Sequence, residues 1–189
     1  IAYLNIWDDL PAPMYNREFY DSCDALFGIS KQTVNINKLV LGKEKCKSKV
    51  IKYIPHGLNS NTFKPLDIND KNFKETKDKI NNGQEKDFTL FFNSRNIRRK
   101  SPSDLILAYK LFCDSIGKEK AKKCALVLHT KALDHNGTDL NIVKELFCDP
   151  SYANVFFSQQ KLHPGQMKWL YNLADLTVLP SSNEGWDYR

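Results

Sequence analysis

Short apolar runs alternate along this chain with stretches in which apolar residues recur every three or four positions. The runs fall at residues 2–6, 25–29, 50–54, 88–92, 125–129, 155–157 and 176–179. Each is nearly continuous in apolar residues, the pattern of strands covered on both faces, as in parallel sheets. The stretches between them predict helices. Ser101, Pro102 and Asp104 supply an N-cap, a first-turn proline and an acidic capping-box residue, ahead of a stripe of Leu105, Ala108, Tyr109 and Phe112. Thr138 is expected to cap a helix whose apolar face is Val143, Leu146 and Phe147. Pro164 is expected to open one carrying Met167, Leu170, Tyr171 and Ala174. Ser30 caps a further helix that runs to Gly42. Strands and helices alternating at this spacing predict right-handed βαβ units and doubly wound parallel sheets, an α/β fold of Rossmann-like type.

The pattern breaks once. Between Leu66 and Asp87 the residues are polar, charged and turn-rich, which reads as a linker or surface insertion at 66–87. Two α/β pieces are therefore expected, at 1–65 and 88–189, each an incomplete part of its own domain. The opening residues 1–7 contain no initiator Met, basic leader or small-residue cleavage site, so the chain is expected to be a piece of a longer protein.

Composition narrows the class without naming it. Of 189 residues, 41% are hydrophobic and 26% charged, which excludes a mostly disordered chain. No apolar run approaches the roughly 20 residues of a membrane-spanning helix. Five cysteines without a C-x-x-C pair suit a reducing compartment, and the Asn136-Gly137 pair reads as a turn. The net charge of +6 collects partly at Lys38, Lys43, Lys45, Lys47, Lys49 and Lys52, around a predicted helix end. A solvated face, an anionic small molecule or a membrane surface would each account for it.

Chemistry concentrates where ligands bind in open α/β sheets, beyond the carboxyl ends of the strands. Residues 93–100 follow one predicted strand, His129, Thr130 and Lys131 another, and residues 180–185 a third. If the strands are parallel, these clusters meet at one edge. A diphosphate needs localised positive charge and free N–H groups, and a helix N-terminus offers both. Arg95 can present a planar fork to phosphate oxygens and Lys100 a compact charge, while Arg98 and Arg99 read as solvated. Ser94, His129, Thr130, Ser181, Ser182 and Gly185 are candidate cleft contacts, as are His56 and Gly57 after the third strand. Glu184, ahead of Gly185, can accept hydrogen bonds from sugar hydroxyls or steady a charged transition state. There is no Asp-x-Asp pair, no metal-ligand spacing of His, no P-loop and no G-x-G-x-x-G, so neither metal nor cofactor is expected.

In these residues the sequence resembles the large GT-B glycosyltransferase family that includes sucrose and glycogen synthases and bacterial glycan-building enzymes. Residues 25–30 resemble the strand ending in Ile-Ser that opens a helix in the acceptor domain. Ile54-Pro55-His56-Gly57-Leu58, with Phe63 and Pro65, resembles the block before the interdomain crossover. Arg95 and Lys100 match the family's Arg-x4-Lys pair. Leu173-Ala174-Asp175, Pro180-Ser181 and Glu184-Gly185 match its A-D…P-S…E-G series. The resemblance implies an acceptor-side piece at 1–65, a donor-binding piece at 88–189, and retaining transfer from a nucleoside-diphosphate sugar. Arg95 and Lys100 would hold the donor diphosphate, and Glu184 would be the first Glu of an E-x7-E pair whose second member falls beyond Arg189. Asp187 stands where the family usually has Gly. The implied partners are a nucleotide sugar, a glycan or lipid acceptor and the rest of the parent chain. The implied place is the cytoplasm, with peripheral contact at the inner membrane surface. Two alternatives stay open: a noncatalytic nucleotide-sugar-binding or interaction module, and a nucleic-acid binder using residues 95–100 with Phe91 and Phe92, for which no recognition fingerprint is present.

Overall fold

The computed structural model of the chain describes residues 1–7, 9–67 and 69–184. It divides into two compact units, Ile1–Leu58 with Asn183 and Glu184, and Asn59–Ser182. The first unit runs β1 (Ala2–Asn5), α1 (Arg17–Asp21), β2 (Ala25–Gly28), α2 (Lys31–Leu41), α3 (Lys43–Cys46) and β3 (Val50–Tyr53). Its strands are parallel in the order β1-β2-β3. Tyr20, Leu26, Ile36 and Val40 form its core. The Ser30 hydroxyl accepts the Thr33 N–H at 3.0 Å, the expected N-cap. The helix stops at Gly42, whose φ of +81° suits a residue without Cβ. Not all the lysines read as a solvated face are idle: Lys45 pairs with Asp21, and the Lys49 ammonium donates to the Cys23 carbonyl at 2.8 Å.

The second unit continues with α4 (Lys71–Ile80), β4 (Phe88–Asn93), α5 (Pro102–Ile116), α6 (Lys118–Ala121), β5 (Cys124–His129), α7 (Leu140–Phe147), β6 (Val155–Ser158), α8 (Pro164–Leu173) and β7 (Leu176–Thr177). All four strands are parallel, in the order β6-β5-β4-β7. Side-chain alternation builds two cores on one sheet. Phe92, Leu126 and Leu128 meet Leu105, Ile106, Tyr109 and Val143 on one face. Phe91 and Val127 meet Leu170 and Leu173 on the other. The apolar runs are continuous because helices cover both faces. Among the described residues no helix is long and apolar enough to cross a membrane, and all five cysteines are free thiols.

Local expectations need correction at three helices. Ser101 sits in left-handed backbone (φ 48°) and caps nothing; its hydroxyl donates to the Arg98 carbonyl, because a 3₁₀ turn at Arg98–Lys100 runs directly into α5. The buried stripe of α5 is Leu105, Ile106, Tyr109 and Cys113, with Ala108 exposed. Asp139, not Thr138, caps α7: its carboxylate accepts the Asn141 N–H at 3.0 Å, and Leu146 and Phe147 face outward. In the stretch read as linker or insertion, α4 forms. Asp70 caps it through the Phe73 N–H at 3.0 Å, and Phe73 and Ile80 pack on the Phe91 side of the sheet.

Candidate functional site

From β4 the second unit's strands step outward through β5 to β6, and the chain then returns to place β7 on the other side of β4. Open α/β sheets bind ligands at such a reversal, beyond the carboxyl strand ends. The register holds those ends level, with Asn93 opposite His129 and His129 opposite Ser158. The loops after β4, β5 and β7 therefore leave from one edge, as parallel pairing required. The Ser182 N–H donates to the Arg99 carbonyl at 2.9 Å, which joins the third loop to the first. The first two loops enclose a cleft of about 520 Å³ lined by Ser94, Arg95, His129, Thr130, Lys131 and Asp134, among others.

Arg95 stands at this cleft with 56% of its side chain exposed, and it is already paired. Its Nε donates to Asp134 Oδ2 at 3.0 Å and its Nη2 to Asp134 Oδ1 at 3.2 Å. The fork holds the Asp134 carboxyl at about 2, with the Asn136 N–H adding to the effect. Because this pKa is depressed, the pair's contribution is present above the ordinary carboxylate range, about 4, and is lost as pH falls through 2. A carboxyl titration followed by NMR is expected to show a midpoint near 2 for Asp134, returning toward 4 in Arg95→Ala. An unshifted wild-type midpoint would dismiss the pair in solution.

Neither Asp134 nor Asn96 was picked out by the sequence. Asn96, 1% exposed, fastens the first loop to the second. Its amide donates to the Ala132 carbonyl at 3.1 Å and the Thr138 carbonyl at 2.7 Å. The Asn136-Gly137 turn closes through the Gly137 N–H on the Asp134 carbonyl at 2.9 Å, as the dipeptide suggested. Gly137 presses against Asn96 so closely that a Cβ would lie 2.3 Å from the Asn96 carbonyl oxygen.

The remaining candidates separate. Lys100 closes the 3₁₀ turn with only 8% exposure, unlike the exposed Arg98 and Arg99 before it. His129 Nδ1 lies 3.0 Å from the Ser158 hydroxyl, and burial pushes its pKa below the usual imidazole range. Thr130 and Ser181 carry buried hydroxyl oxygens without hydrogen-bond partners among the described residues. His56, Gly57 and Glu184 belong to the first unit. Gly185 and Asp187 lie outside the described residues.

Parallel sheets of three and four strands, covered by helices, give the chain a partial GT-B fold built of Rossmann-like units. The particular structures it is similar to are these. An alpha,alpha-trehalose 6-phosphate synthase from Burkholderia multivorans superposes with a TM-score of 0.69 at 9% identity over 98% of this chain and 47% of that one. An E. coli structure described as trehalose-6-phosphate bound with UDP-2-fluoro glucose gives 0.67 at 12%, over 98% and 48%. A glycosyltransferase from Rickettsia africae gives 0.60 at 18%, over 92% and 43%. The chain thus spans about half the length of these structures. No family model matches the sequence, and no curated protein does.

Proposed function

We propose that this chain is part of a glycosyltransferase whose second unit binds a nucleoside-diphosphate sugar, the sugar passing with retention to a glycan or lipid acceptor. The observation that carries the reading is the single segment that runs from the carboxyl end of β4, where strand order reverses, through Arg95 and the Lys100 turn to the start of α5. Breaking the sugar–phosphate bond leaves growing negative charge on the diphosphate. A guanidinium held by its ion pair and a lysine on the turn before a helix start would offset that charge more in the transition state than in the ground state. The UDP-2-fluoro glucose bound in one similar structure supports the ligand class. Glu184 keeps, on the resemblance alone, the role of meeting a sugar hydroxyl or developing charge. The nucleic-acid alternative loses its stacking platform, since Phe91 and Phe92 are both buried.

The test is calorimetric titration of UDP, ADP, GDP and TDP into the wild type, Arg95→Ala and Arg98→Ala, with turnover measured in the full-length parent. Arg95→Ala is expected to weaken the best-bound diphosphate by about tenfold or more, for the loss of a charge-assisted contact. Arg98→Ala should cost much less. In the parent, Lys100→Met, which keeps the buried stem, should lower turnover more than donor affinity. Failure of every diphosphate to bind, or equal small effects at 95 and 98, would end the donor-site reading. Binding without turnover in the parent would favour the noncatalytic module.

A further inference from the structure

We propose that Asp134 is a positioning residue that sets the plane of the Arg95 guanidinium, leaving one edge of the fork presented to the donor diphosphate; this rests on the reading of Arg95 given above. A guanidinium has two edges that can each take a planar anion: the Nε–Nη2 side and the Nη1–Nη2 end. Asp134 occupies the first, at 3.0 and 3.2 Å. Among the described residues Nη1 makes no hydrogen bond, so the second edge is open.

The carboxylate is itself held firmly. Its side chain is 8% exposed, and its Oδ1 accepts the Asn136 N–H at 3.0 Å. The turn that carries it abuts Asn96 through Gly137, and Asn96 is the residue after Arg95. Both halves of the pair are therefore anchored by the same buried amide, and the Arg95–Asp134 spacing is set by the fold instead of by a flexible side chain. An arginine ordered before the ligand arrives loses less rotamer freedom on binding, the usual gain from preorganisation. The nearby negative charge repels phosphate and opposes the gain in order, and the Asp134→Ala titration reads which of the two is larger. His135, the other titratable group at the pair, lies 3.5 Å from Asp134 Oδ1 and is largely exposed.

A double-mutant cycle tests this without needing turnover. The wild type, Arg95→Ala, Asp134→Ala and the double variant are titrated with the tightest binder among UDP, ADP and GDP, and each is melted to check folding. Asp134→Asn, which retains an acceptor for the Asn136 N–H, runs alongside and carries the cycle if the alanine variant does not fold. Asp134→Ala and Asp134→Asn are expected to bind about three- to tenfold more weakly than the wild type, the range for freeing one long side chain. In the Arg95→Ala background the same changes should have no further effect. A purely structural role for Asp134 would still weaken binding in that background, and such additive losses overturn the proposal. Unchanged or tighter binding in Asp134→Ala also overturns it, by making the carboxylate a competitor of the phosphate. If Arg95→Ala itself binds like the wild type, the donor-site reading has failed and Asp134 loses its role with it. An Arg95→Ala defect with additive Asp134 losses sinks the positioning role alone.

Discussion

Gly137→Ala is expected to lower the stability of the second unit by about 1–3 kcal/mol, although it adds one methyl group. The glycine is required by close approach, since its φ is not in the left-handed region and a turn alone would tolerate alanine. Its Cβ would meet the Asn96 carbonyl oxygen at 2.3 Å, the side-chain Oδ1 at 2.4 Å and Cγ at 2.6 Å. The first of these is backbone and cannot swing aside. Relief requires the Asn96 amide to leave Ala132 and Thr138, which parts the loop after β4 from the loop after β5. Diphosphate binding should fall together with stability, because Arg95 and Asp134 sit on either side of the parted contact. Urea denaturation and nucleotide titration of the variant check this. Wild-type values for both would mean that the loops part at no cost and that Asn96 is no clasp.

The second large effect is expected at the centre of the sheet. Phe92 is fully buried on the strand that pairs with both β5 and β7, against Leu105, Ile106 and Leu128. Phe92→Ala removes an aromatic ring from a core closed by helices and should cost about 3–5 kcal/mol, transfer loss and cavity together. Phe92→Leu keeps much of the volume and should cost less than half of that. Equal losses in urea midpoint for the two variants would show that ring shape, not filled space, governs the site.

Strands β4 and β5 were readable because they are buried on both faces, which turns a tertiary fact into a local run of apolar residues; β1, β3 and β7 show the same runs although much of their apolar surface is exposed. Phe91 and Phe92 show the principle: adjacent in sequence, they serve opposite cores. The helix starts were less readable, since competing cap residues stand side by side. Thr138 and Asp139 can each cap, and Asn96 decides between them by binding the Thr138 backbone. Ser101 looks like a cap until the basic turn before it forces left-handed backbone. In α4 only Phe73 and Ile80 face the core, too few apolar positions for a periodic signal. Arg95 and Lys100 could be singled out from the sequence because strand, loop and helix lie in one continuous stretch. Asp134 and Asn96 were invisible for the opposite reason. Their partners lie 36 to 42 residues away, and nothing local distinguishes either from an ordinary loop residue.

The three cysteines of the larger core, Cys113, Cys124 and Cys148, make the second unit its own reporter. Burial pushes the thiols up, Cys148 to about 11, so at neutral pH they are protonated as well as shielded. A thiol reagent attacks the thiolate, which forms only when the core opens to water. Labelling rates at these positions therefore measure how often the sheet parts from α5 and α7. No cysteine has to be introduced to follow that opening in any variant.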